Sequence, residues 1–438
     1  PLPLPDGSTV EFEVKHSQIV HEKLRQKYPE LATFTIQGFE HKSASGRICL
    51  TKLGFHAFIF MPHLGKTLVI DPYHLQATHL LQVYFLEDTP KPGGICSVGQ
   101  QHLTPEWYEA INNKQKSDFA NGDELHIYRI AISVEAEYTN KYGGVDNALA
   151  ATVQMLNDLN AITEHEIAVR FEMVANNNLL MFTDPATDPY NGNNNDMLDQ
   201  NQTAVSEKIG WDNYDLGIVL RESDGVGGVA YVGNVCGDLK GKLVSANAVL
   251  VLAHEVGHQC GAMHTFNSIA GGCNGNRSGD TAYEPGSGNT LMGYFGLCGN
   301  DDMPGSELPN YHANSFESII KYMFQGNGAS CAQIQPTGNT IPTLQVPASN
   351  FFIPIATPFY MAATANDPDN QTLTYSGEQY DLGPAGTPNE PQKNAPLFRV
   401  FGPVEQVMRT FPQISDIVNN THTLGELLPN TNRDLHFR

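Results

Sequence analysis

Residues 254–264 read His-Glu-Val-Gly-His-Gln-Cys-Gly-Ala-Met-His, a complete match to H-E-x-x-H-x-x-G-x-x-H. His254 and His258 stand four apart, so on a helix they share one face, a turn apart, and two imidazoles so placed can reach one metal ion. Glu255 lies about 100° further round the helix, close to the metal without being a ligand. That position suits a general base acting on a metal-activated water. Gly261 can end the helix, because glycine takes the left-handed conformation cheaply, and the turn brings His264 back as a third ligand. Three neutral imidazoles and one open position describe a catalytic zinc site, whereas structural sites are closed by four protein ligands and favour cysteine.

These side chains need elements to hold them. The run 246–253 is apolar enough for a buried helix, and a buried helix carrying two histidines and a glutamate needs partners for those groups. Zinc supplies one. Upstream, residues 125–132 read as a strand, and 145–159 place apolar residues at helical spacing. Ile167, Val169, Phe171 and Met173 alternate as a strand over 166–174; 197–209 predicts a helix, 214–221 a buried strand and 227–232 an edge strand. The resulting β-α-β-α-β-β-α order predicts a twisted mixed sheet under helices, with the irregular 265–333 below it and a cleft between.

Downstream, Thr290-Leu291-Met292-Gly293-Tyr294 follows a loop rich in Gly, Ser and Asn. Together with the histidine motif, this turn resembles that of the metzincin metallopeptidases, and Met292, 28 residues beyond His264, matches the methionine beneath their zinc. The resemblance implies an α+β fold with a twisted mixed five-stranded sheet, helices, a zinc helix and a Met-turn. Tyr294 stands where astacin-like and serralysin-like members carry a tyrosine that approaches the metal. The segments 264–267, 272–277 and 283–288 are similar to the reprolysin (adamalysin, ADAM-like) family in its secreted bacterial form. Thr265 departs from the animal members, which usually carry Asp there. A gluzincin would need a glutamate ligand on a downstream helix; Glu284 has the spacing but sits in a Pro-Gly loop, so that class is rejected. The same resemblance pairs Cys273 with Cys298 and Cys236 with Cys331.

At 438 residues the chain is long enough for two or three domains. Residues 1–115 read as a β-rich, propeptide-like unit, with strand-like runs at 48–51, 55–61 and 67–71. Residues 122–333 form the peptidase-like region. A Pro/Thr linker at 335–342 precedes a partial Ig-like or cadherin-like β-sandwich at 343–438 that stops mid-strand. Asp367 and Asp369 make Ca²⁺ a second candidate cofactor, against the simpler reading of an Asx turn, and the acidic turn 299–302 is a weaker candidate. The net charge of −22 argues against nucleic acid as a partner. No run of 18 apolar residues spans a membrane, no signal peptide is seen, and Pro1-Leu2-Pro3-Leu4-Pro5 looks like a trimmed end. Seven cysteines, five of them between 236 and 331, point to an oxidising, extracellular setting. Cys260, inside the motif, reads as a small buried thiol.

The resemblance implies a secreted zinc endopeptidase with Glu255 as general base, Tyr294 steadying the oxyanion, and protein or peptide chains as substrates. Cys96, in the extended segment 89–99, is a candidate switch ligand that fills the fourth zinc position in a latent form, with the chain's own propeptide as inhibitor. A Cys49–Cys96 disulfide is the competing reading. Lys114-Gln115-Lys116 is the candidate activation site. The alternative function is an adhesin-like binding protein on an inactive metzincin scaffold, which the intact Glu255 argues against.

Overall fold

The computed structural model describes residues 1–75, 77–89, 119–222, 227–346 and 350–438. Its first strands are short, apolar and separated by turns, and they pair with their sequence neighbours. β1 (Phe12–His16), β2 (Ala32–Gly38), β3 (Ser45–Thr51), β4 (Gly54–Met61), β5 (Lys66–Pro72) and β6 (Leu81–Phe85) form one antiparallel sheet in chain order. Alternation along β4 puts Ala57, Ile59 and Met61 into a core with Ile36, Ile48, Leu68 and Ile70. His56 and Phe58 are buried on the opposite face.

β7 (Glu124–Val134) is buried on both faces, as befits the centre of a largely parallel sheet. It is followed by α1 (Val145–Ile167), β8 (Val169–Met173), α2 (Asn194–Ile209), β9 (Leu216–Arg221), β10 (Val229–Ala230), β11 (Leu243–Ala246) and α3 (Val249–Gln259). The strand order is β8-β7-β9-β11-β10, parallel except for β10 against β11. After α4 (Ala313–Gln325), β12 (Gln333–Pro336) returns antiparallel to the first residues of β7, making a sixth strand. The start of the expected linker is therefore part of the sheet. Two boundaries also move. Ala246 ends β11 and α3 starts at Val249; α1 continues to Ile167, where Ala168 takes a left-handed conformation (φ 52°) and turns the chain into β8. Apolar runs 246–253 and 166–174 each cross a strand–helix junction, and hydrophobicity alone does not mark where the period changes.

Both sheets belong to one compact unit, Pro1–Met61, Lys66–Ala262 and Ser318–Gly338; Pro62–Gly65, Met263–Glu317 and Asn339–Arg438 make a second. In the second unit the described C-terminal residues hold two short antiparallel pairs, Thr343–Gln345 with Thr364–Asn366 and Phe359–Ala362 with Met408–Phe411, in place of two packed sheets. Its core is aromatic, with Phe398 and Phe411 buried among Phe359, Leu435 and Phe437. This region packs on residues 263–317: Asn267 Nδ2 donates to Pro384 O (2.9 Å), Arg277 Nη2 to Gly383 O (2.9 Å) and Ala313 N to Glu378 (2.6 Å). No helix among the described residues is long and apolar enough to cross a membrane.

The N-terminal sheet lies on α1, where His56 is buried between Asp71 and Asp158, its Nε2 2.7 and 2.8 Å from the Asp158 oxygens. Burial alone would lower the imidazole pKa, but the charges and hydrogen bonds of Asp158 and Asp71 outweigh it and raise it to about 10. A folded-state value above the unfolded one contributes stability that is complete below about pH 6.5 and lost as pH rises through about 10. Wild-type melting temperature should fall over that alkaline window. His56→Gln cannot titrate, so it should melt lower throughout and lack the alkaline step; an equal step in the variant would contradict the assignment.

Candidate metal centre

The helix α3 packs on β10, β11 and α1 and carries His254, Glu255 and His258, all buried. Its C-terminal carbonyls are capped by the segment after β10, with Gly233 N donating to His258 O and Asn234 N to Gln259 O, both at 2.9 Å. Gly261 then reverses the chain at φ +103°. A Cβ there would also stand 2.8 Å from Cβ of Tyr322, so glycine is needed for space as well as conformation.

His254 Nε2 and His258 Nε2 are 3.1 Å apart. Two nitrogens on a tetrahedral zinc, bonded at 2.0–2.1 Å, lie about 3.3 Å apart. One ligand atom from each of His254, His258 and His264 falls within 4.8 Å of the others. The second nitrogens decide the tautomer. His258 Nδ1 faces Ala262 O at 2.8 Å, and His264 Nδ1 faces Asn276 O at 2.7 Å. A carbonyl only accepts, so each Nδ1 carries the proton and each Nε2 keeps its lone pair for a metal. Buried and gathered around one point, this nitrogen donor set fits Zn²⁺.

Glu255 is fully buried, and a Cβ at Gly228 would sit 2.5 Å from its Cγ and Oε1. Its carboxylate thus rests against bare backbone just before β10, a placement that the reading of 227–232 as an edge strand did not anticipate. Met292 is buried, and its carbonyl accepts from Thr265 N at 3.0 Å. Tyr294 packs edge-on against the His264 ring, with centroids 4.5 Å apart.

Glu284, set aside as a ligand, has another position. It is 1% exposed and accepts from Thr265 Oγ1 (2.6 Å), Asn289 N (2.9 Å), Thr290 N (3.1 Å) and Thr290 Oγ1. One carboxylate therefore holds the residue after His264 to the turn that carries Met292. The only sequence trace of this was Thr265 in place of Asp.

Disulfides join Cys236 to Cys331 and Cys273 to Cys298, with Cα–Cα distances of 5.7 and 5.2 Å. Cys49 and Cys260 are buried thiols bonded to no other described cysteine; burial pushes the Cys260 thiol up, keeping it neutral. Cys96 and Lys114-Gln115-Lys116 lie outside the described residues. Asp367 Oδ1 accepts from Asp369 N (2.8 Å) and Gln371 N (3.1 Å), an Asx turn, while Asp301 is engaged by Ser268 Oγ (2.6 Å). Among the described residues, His254, His258 and His264 are the one group of this kind able to hold a metal ion.

Glu284→Ala leaves four buried donors without their acceptor and should cost about 3 kcal/mol or more. It should also weaken zinc binding at least tenfold, with Glu284→Gln intermediate. Competitive titration against a chromophoric chelator reads this; unchanged affinity in a folded Glu284→Ala protein would remove the carboxylate's positioning role.

No curated protein matches this chain. Among solved structures, a chain from a chaperone–substrate complex matches at 13% identity over 47% of this chain, with a TM-score of 0.28. This chain covers 35% of that one, and the likeness carries no argument. Residues 125–319, which hold the three imidazoles, Glu255 and Met292, match the family described as metallopeptidase family M12B, reprolysin-like, and the region is similar to that family's peptidase domain.

Proposed function

We propose that the chain is a secreted zinc endopeptidase made in a latent form. The observation that carries this reading is the convergence of three buried imidazoles with a buried carboxylate on the helix that carries two of them, inside the segment similar to the M12B peptidases. His254, His258 and His264 would hold the ion. When bound, Zn²⁺ supplies a water acidified towards pKa ~7 and polarises the scissile carbonyl. Glu255 accepts the proton of the attacking water and delivers it to the leaving amine. Its burial against Gly228 fixes the carboxylate in one place, so little reorganisation is needed when charge develops. Tyr294, held against the His264 ring, donates its hydroxyl to the oxyanion. β10 is the terminal strand of the mixed sheet, and its outer edge would take an extended peptide through main-chain hydrogen bonds, which fits protein substrates of loose sequence demand. The two disulfides support an oxidising, extracellular setting.

Latency is assigned to Cys96, whose thiolate would occupy the fourth zinc position until the chain is cut near Lys114-Gln115-Lys116. A thiol beside Zn²⁺ is deprotonated outright, which favours that ligation.

Hydrolysis of unfolded casein should appear in wild type only after cleavage within 90–118. Glu255→Gln, cleaved in the same way, should keep one zinc and lose activity by about 10²–10⁴-fold or more; full turnover in that variant would sink the mechanism. Cys96→Ala should hydrolyse casein without cleavage. An uncut Cys96→Ala protein as silent as uncut wild type would remove the switch and leave the peptidase reading standing.

A further inference from the structure

The N-terminal sheet and the mixed sheet share a buried polar seam. Arg47 on β3 is 1% exposed. Its Nε donates to Asn157 Oδ1 (2.9 Å), its Nη1 to both Glu164 oxygens (2.9 and 3.1 Å) and its Nη2 to Ser17 Oγ (3.0 Å). Glu164 on α1 is gripped from its other side by Arg170 Nε (2.7 Å) on β8. One strand along, His56 on β4 spans Asp71 of its own sheet and Asp158 of α1. Phe60 stacks on His165 of α1 with ring centroids 4.6 Å apart.

A backbone contact runs beside this seam. Met173 N donates to Ile19 O (2.7 Å) and His21 N donates to Met173 O (3.0 Å), so residues 19–21 lie parallel to the end of β8. β8 is the edge strand of the mixed sheet, and an uncovered edge is a template for pairing. Ile19 and Val20, which cover it, are 0% and 3% exposed.

We propose that residues 1–89 are a permanent, non-covalently held subunit of the peptidase fold. Cutting the chain between residues 90 and 118 therefore leaves two polypeptides that stay together, with α1 and the β8 edge as the docking surface. Association comes from apolar burial and the strand-edge pairing. The ionic seam supplies selectivity, since buried Arg47, His56 and Asp158 and half-buried Glu164 complete their hydrogen bonds and charge pairing only across this surface in this register. Activation would then remove the restraint of the connecting segment without removing the domain. The position of the cut rests on the latency reading; the docking does not.

The test is size-exclusion chromatography of the full chain, cut at a specific protease site placed next to Lys116, in about 0.5 M NaCl to screen exposed charges. Both fragments should co-elute at the mass of the uncut chain. In the cut protein, Arg47→Ala should weaken the complex at least tenfold; Glu164→Gln, which keeps one acceptor oxygen, should do so less and serves if Arg47→Ala does not fold. Separate elution of the wild-type fragments overturns the proposal, as does unchanged affinity in the seam variants. Casein hydrolysis on the same fractions separates the two readings. Co-eluting but inactive fragments would count against latency alone, and separated active ones against docking alone.

Discussion

A three-histidine metal centre works only if every imidazole presents a lone pair, and not a proton, to one point. The first two nitrogens follow from the helix period, which stacks His254 over His258. The third requires α3 to stop and reverse, and Gly261 does this where both the positive φ and the side chain of Tyr322 exclude a Cβ. Two of the rings are then oriented by main chain: Ala262 O, in the turn that Gly261 makes, accepts a hydrogen bond from His258 Nδ1, and Asn276 O accepts one from His264 Nδ1. The helix end, the turn and the loop at 276 are therefore one device, and the rest of the peptidase region holds that device in place.

That support is polar as well as apolar. Buried networks rigidify a structure when every member is satisfied. Glu284 meets this condition, tying Thr265, Asn289 and Thr290 together around one carboxylate. The disulfide Cys273–Cys298 closes the loop in which Asn276 lies. Helix α3 is held instead by packing on its sheet and by amides of 233 and 234 at its C-terminal carbonyls.

The cluster of His254, His258 and His264 and the reversal at Gly261 could be read from the chain because they depend on fixed local spacing, as could most of the helices and strands of 124–221. What could not be read was non-local. β12 looked like linker because four exposed residues ending in Pro336 carry no strand pattern, and only the open flank of β7 makes them one. The seam of Arg47 and His56 was invisible because its partners lie 102 to 117 residues away. The support given by Glu284 is not legible either, since a loop carboxylate gives no hint of the donors that surround it in the fold. The alternation in 343–438 suggests a sandwich; among the described residues there the chain pairs in two small ladders beside an aromatic core.

Zinc K-edge X-ray absorption on the chain cut within residues 90–118 tests the central claim most directly. The account predicts one zinc per chain with three nitrogen scatterers at about 2.0–2.1 Å, one further light-atom ligand and no sulfur. His264→Ala should lose one imidazole from that shell. A sulfur shell that persists after the cut, or a zinc environment indifferent to His264, would contradict the open three-histidine centre on which the proposed chemistry rests.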